Sequence, residues 1–321
     1  MLAIPLFRVP DVNDSRGQLP PSQQAHVAAA ILLACSAAGD VQATLQILNA
    51  MYYSVNGYNI PQAVEIARYF SPIDINNCMS TLQKLAEGES GKNGVKGDSN
   101  AMTLHGKFLE LAGNKQEAKY FYEKALKNYN TRIHRGYPHP MGLPWLTPWM
   151  ELVNLEKSLQ EPSSAKIQEA LKFGALKADD PMACYQLALF QQKRTPSWLE
   201  YMSKAAASGH SEAMYTLGHF YLSVNEKPAS YINAGFKKAL NFMLSWKRAA
   251  PADLAMEWFK AAALGGHKPA MMDMAELHAK NGAAPELIKS CLRDVLQEPL
   301  KGKQEEWPHL VAQARQRLAA M

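Results

Sequence analysis

Nine histidines and four cysteines are the residues of this 321-residue chain that could ligate a metal or carry a nucleophile. Their spacing argues against both. His134 and His139 bracket Gly136, Tyr137 and Pro138, but no carboxylate or cysteine stands at ligand distance along the chain. No His-Glu-x-x-His helix motif occurs either. Cys35, Cys78, Cys184 and Cys291 lie far apart, each in or beside an apolar segment, with neither zinc-knuckle nor redox spacing. They read as buried reduced thiols, which favours a compartment without disulfides. Gly91 and Lys92 invite comparison with a phosphate-binding loop. That motif needs a glycine where this chain has Ala86, and Ser or Thr where it has Asn93, and no strand precedes it. Neither a Gly-x-Ser-x-Gly elbow, nor a kinase signature, nor a dinucleotide fingerprint is present. The expectation is a chain that is not an enzyme and takes no cofactor.

The elements behind these residues are helical nearly throughout, since no run of alternating β-branched residues sits between turn signals. Residues 1–21 read as an extended, proline-punctuated arm. Ser22 is placed to cap a helix over Gln23 to Ala38, ended by Gly39 and Asp40. A second helix follows from Val41 to Ser54, its apolar residues at three-four spacing. Pro61 to Phe70 and Asn77 to Ala86 read as another pair, and 87–100, rich in glycine, as a flexible loop. The longest apolar stretch, Val27 to Ala38, falls well short of the ~20 residues of a membrane span. The net charge of +5 is a mild excess, far from the basic stripe of a nucleic-acid binder. The N-terminus has neither a signal-peptide core nor a good transit-peptide face. These features point to an intracellular protein, with cytoplasm and mitochondrion left open.

Self-similarity carries the most information. The segment from Glu200 to Gly218 aligns without gaps to that from Glu257 to Ala275, and Leu171 to Phe190 is a weaker third copy. In that copy Ala183, Tyr185, Leu187 and Ala188 fall on Ala213, Tyr215, Leu217 and Gly218. Small residues such as Ala206, Ala213 and Gly218 suit the places where helix axes approach. Tyr201, Trp258, Leu217 and Tyr221 fill the grooves between. Gly209 and Gly266 supply the left-handed conformation that ends one helix before the next. His210 and His267 recur at the same place and read as turn residues.

These residues resemble the Sel-one-like repeat, a branch of the tetratricopeptide superfamily. Ala213, Leu217, Gly218 and Tyr221 match its motif fully, whereas the later copy keeps Ala270 but has Met274, Ala275 and His278 in place of Leu, Gly and Tyr. Upstream, Gly106, Ala118, Tyr122 and Ala125 occupy the small and aromatic positions of an ordinary tetratricopeptide unit, with Leu111 to Asn114 as its turn. The N-terminal hairpin shares only Ala43, Ile47 and Ala50 and is equally pentatricopeptide-like. The resemblance implies an all-α, right-handed solenoid of stacked antiparallel hairpins. The expected organisation is an arm (1–21), N-terminal hairpins (22–130), a connection (131–149), a repeat block (150–284) with an inserted helix over 231–248, and capping helices (285–321).

Function follows from the resemblance as an expectation. Superfamily precedent puts ligands on the concave face made by the first helix of each hairpin. Residue by residue, this implies Asn100, Thr103, Lys107 and Glu110, then Glu212, Tyr215 and His219, then Met272 and Glu276. A second candidate is the stretch 131–149, where Arg132, Arg135, Tyr137 and Trp145 stand near Trp149 among four prolines. Trp, Tyr and Arg dominate interface hot spots, so the stretch could grip a partner. Read plainly, it is a bent connection whose tryptophans pack on the next helix. The reading is a non-catalytic protein-binding scaffold, an adaptor or assembly factor. Alternatives are an RNA-associated repeat protein of organellar gene expression and a permanent subunit of a large assembly. RNA reading at one base per repeat needs regular polar pairs, and none appear.

Overall fold

The computed structural model describes residues 21–56, 60–88, 97–129, 143–226, 251–298 and 305–321, together with Lys238. Among these residues every regular element is a helix. Fifteen are described, and nine of them begin at a proline. Proline suits the first helical position because its missing N–H would have no partner there and its φ is already helical. That is where much of the chain's proline is used without breaking a helix. The arm 1–21 (apart from Pro21, which opens a helix), most of the loop 87–100, residues 130–142 and the inserted helix 231–248 (Lys238 apart) lie outside the described residues. The chain divides into two compact units, 1–170 and 171–321.

The first unit holds α1 (Pro21–Ala37), α2 (Val41–Val55), α3 (Pro61–Ala67), α4 (Pro72–Glu87), α5 (Ser99–Leu111), α6 (Lys115–Asn128) and α7 (Pro148–Lys157). Gly39, at φ 86°, ends α1, and the Asp40 carboxylate accepts the Ala43 amide at 2.7 Å to start α2. Helix α2 is covered on all sides over residues 43–50 and packs on α1, α3, α4 and α5. Ser36 Oγ meets Thr44 Oγ1 at 2.8 Å and Cys78 Sγ at 3.6 Å, so one buried polar cluster joins α1, α2 and α4. Helix α4 starts five residues before the expected Asn77. Ser71 and Asp74 cap it reciprocally around Pro72, a start signal that outweighs the polar composition of its first turn. The tetratricopeptide positions behave as expected: Ala118, Tyr122 and Ala125 are fully buried, and a Cβ on Gly106 would lie 2.8 Å from the Tyr122 ring. Of the four cysteines, all free, Cys78, Cys184 and Cys291 are buried but Cys35 is exposed. The expectation fails there because the stretch 27–35 of α1 is apolar around its whole circumference, and position 35 falls on the uncovered side.

Helix α8 (Ser164–Lys177) runs across the division between the units. The second unit continues with α9 (Pro181–Leu189), α10 (Pro196–Ala207), α11 (Ser211–Glu226), α12 (Pro251–Leu264), α13 (Lys268–Lys280), α14 (Pro285–Val295) and α15 (Pro308–Ala319). Each described helix from α9 to α15 packs on its neighbour in sequence, and α13 also meets α15. Gly209 and Gly266 take the left-handed φ that the repeat pattern predicts, 95° and 82°. Gly218 serves another purpose. A Cβ there would sit 2.5 Å from Phe259 Cε1, so glycine is what lets α12 approach α11. Met271, Met272, Ala275, Leu292, Val295 and Ala314 form the core where α15 closes on α13 and α14.

Candidate partner-binding surface

In the first unit the candidate polar groups turn inward. Lys107 Nζ lies 2.8 Å from Glu151 Oε2 on α7 and 3.1 Å from Glu110 Oε2. Tyr122 donates its hydroxyl to Glu110 at 2.8 Å from α6. The network ties α5, α6 and α7 together. Burial works to lower the Lys107 pKa, but Glu151 and Glu110 outweigh it and hold the ammonium charged. Burial, with the bond to Glu110, raises the Tyr122 pKa and keeps the phenol neutral. Lys107 and Glu110 are thus engaged within the unit, an arrangement that the helix register alone could not supply, because Glu151 comes from a distant helix. Thr103 is corrected too: it is buried, and its hydroxyl donates to the Ser99 carbonyl at 2.7 Å. Asn100 is half-buried in the first turn of α5, capped by Asp98. Trp145 packs partly buried against the first unit's core, and Trp149 is buried. Arg132, Arg135 and Tyr137 lie outside the described residues.

The second unit brings its candidates together. His267 caps α13: its Nδ1 accepts the Ala270 amide at 3.3 Å, and its Nε2 lies 2.8 Å from Glu212 Oε2 on α11. Because Nδ1 is an acceptor, the ring proton sits on Nε2 and is donated to Glu212. A second pair runs the other way, His219 Nε2 of α11 to Asp273 Oδ2 of α13 at 2.9 Å. Tyr215 stands between them, 4.5 Å from the His219 ring and 4.7 Å from the His267 ring by centroids. Burial, and next its contact with Asp273, raises the Tyr215 pKa. Around this ring Glu212, His219 and Glu276 keep 46%, 48% and 44% of their side chains exposed. Glu276 also accepts from Arg317 Nη2 at 2.8 Å, which fastens α15 to α13. Met272 is corrected out of the surface, buried in the core beneath α15.

Asp273 was not expected, although it follows Met272 directly. A helix turns about 100° per residue, so one position decides between core and surface. The role of Glu212 as a partner of the next repeat's cap was likewise missed. The available signal was that His210 and His267 recur with alanine three residues on, the spacing of a side-chain cap.

Both nitrogens of His267 are engaged, so it is no free base. Among the described residues no group of three His, Cys, Asp or Glu side chains could hold a metal ion, and no helix is long and apolar enough to cross a membrane. An apolar groove of about 280 Å³ lies between α13, α14 and α15, lined by Ala275, Ile288 and Leu292; Arg317, also at its wall, is bonded to Glu276.

No family model matches the chain, and no curated protein matches it. Among solved structures, a Sel1 repeat protein from Oxalobacter formigenes is similar at a TM-score of 0.43 and 13% identity, over 84% of this chain and 99% of that one. A likeness this loose carries no argument, and the repeat reading rests on the residues themselves.

Proposed function

We propose that the chain is a non-catalytic scaffold for protein–protein interaction, an adaptor or assembly factor within a multiprotein complex. The observation that carries this reading is the surface of α11 and α13, where Glu212, His219 and Glu276 stand half exposed around Tyr215. Internal pairs hold these side chains in place, so little conformational freedom would be lost on binding. An aromatic ring among carboxylates and an imidazole suits a segment of another protein. The test is affinity capture of the tagged chain from its native cells, with and without nuclease, followed by mass spectrometry. Stoichiometric partners that survive nuclease are expected. Partners lost on nuclease treatment would replace this reading with RNA association, and measurable turnover of a captured substrate would end it.

A further inference from the structure

The polar side chains of α11 and α13 fall in a row with a charge of its own. The Glu212 and His267 pair stands at 2.8 Å, the His219 and Asp273 pair at 2.9 Å, and Glu276 follows. Glu212 and His219 are seven positions apart on α11, about 10 Å, and Glu276 lies about one turn beyond Asp273 on α13. Three carboxylates thus stand along a strip about 15 Å long. Glu212 and Glu276 keep close to half of their side chains exposed, so the strip is within reach of a partner.

The groups bonded to these carboxylates offset their charge only in part. Glu276 is matched by Arg317 at 2.8 Å. His267 gives Glu212 a hydrogen bond without a positive charge, because its Nδ1 accepts the Ala270 amide and cannot also hold a proton. His219 is a cation beside Asp273 only when protonated. The field of the strip reaches the tyrosines beside it. Burial raises the Tyr215 pKa, and Asp273, Glu212 and Glu276 each push it further the same way. Glu212 acts likewise, behind burial, on Tyr185 of the repeat before. The chain as a whole carries +5, so this strip reverses the overall sign locally.

We propose that this strip binds a basic segment of a partner protein, its arginine side chains laid along Glu212, Asp273 and Glu276 beside the Tyr215 ring. Charge complementarity names the occupant. A guanidinium carries five N–H donors in a planar fork, so it bonds carboxylates and rests against an aromatic ring in one pose. An acidic segment or a nucleic acid would meet like charge here. This rests on the scaffold reading and narrows its partner to a cationic one.

The probe is a capped peptide of about eight residues alternating arginine and serine, which offers a cation about every 7 Å when extended. Its twin carries citrulline, which keeps the planar side chain and removes the charge. The readout is the His219 and His267 ring resonances in the full chain. A saturable shift is expected, with the twin at least about 10-fold weaker. Glu212→Gln keeps an acceptor for the His267 Nε2–H, so the melting temperature should hold while binding weakens about 5-fold. Glu257→Gln, on α12 where Glu257 is 68% exposed and paired with Lys260, should bind as the wild type does. Rings that stay still, equal binding of the twin, or equal losses in Glu212→Gln and Glu257→Gln would overturn the proposal. So would a saturable response of the same rings to single-stranded RNA or to a glutamate–serine peptide. If the arginine peptide is silent while the tagged chain still captures proteins from its native cells, the basic chemistry is wrong and the scaffold stands. If the chain captures no protein, the scaffold reading itself fails.

Discussion

The His267 imidazole joins two repeats through both of its nitrogens, capping α13 with Nδ1 and bonding Glu212 of α11 with Nε2 at 2.8 Å. His267→Ala removes the cap and the bond together and should cost about 2 kcal/mol. His267→Asn, which keeps an acceptor for the Ala270 amide, should recover about half. Denaturant midpoints of the two variants check the ordering, and equal losses would assign the effect to the ring's packing instead.

Lys107 is the ammonium between Glu151 and Glu110. Lys107→Met leaves the buried Glu151 carboxylate without its counter-charge and should destabilise the first unit by about 3–5 kcal/mol. Adding Glu151→Gln should restore most of that loss. A double-mutant cycle by equilibrium unfolding checks it.

Gly218 lies under the ring of Phe259. Gly218→Ala should cost about 1–3 kcal/mol although alanine is the better helix former, because α12 must move away. Pairing it with Phe259→Leu should make the two changes non-additive, read from the shift in melting temperature.

Acid should weaken the fold through two histidines. Burial lowers the pKa of His105 and of His210 below the ordinary value of 6.5. The unfolded chain then binds protons that the folded chain does not. Their contribution is fully present above about pH 6.5 and is lost as pH falls through the depressed folded values. Denaturant midpoints measured from pH 7.5 downward should fall. Replacing His105 with Gln should flatten the slope.

The repeat block was readable in the sequence because its determinants are local: the turn glycines Gly209 and Gly266 and the alanines Ala213 and Ala270 stand at matching places in the two gapless copies. The capping histidines were visible for the same reason. The first unit's polar network was not, since Lys107 and Glu110 look like surface residues until Glu151, 44 positions beyond Lys107, folds against them. Met272 shows how a helix-face assignment fails by a single position, whereas Thr103 sits in a run, 101–104, that is buried on every side. Cys35 was misjudged because the unbroken apolar run 27–35 gives no sign of which side will be covered.

If α11 and α13 present the partner surface, a bound partner shields their amides from exchange. Hydrogen–deuterium exchange on the nuclease-resistant complex, compared with the free chain, tests it most directly. Added protection confined mainly to residues 211–226 and 268–280 is expected. Protection elsewhere, with these two helices exchanging as they do in the free chain, would contradict it.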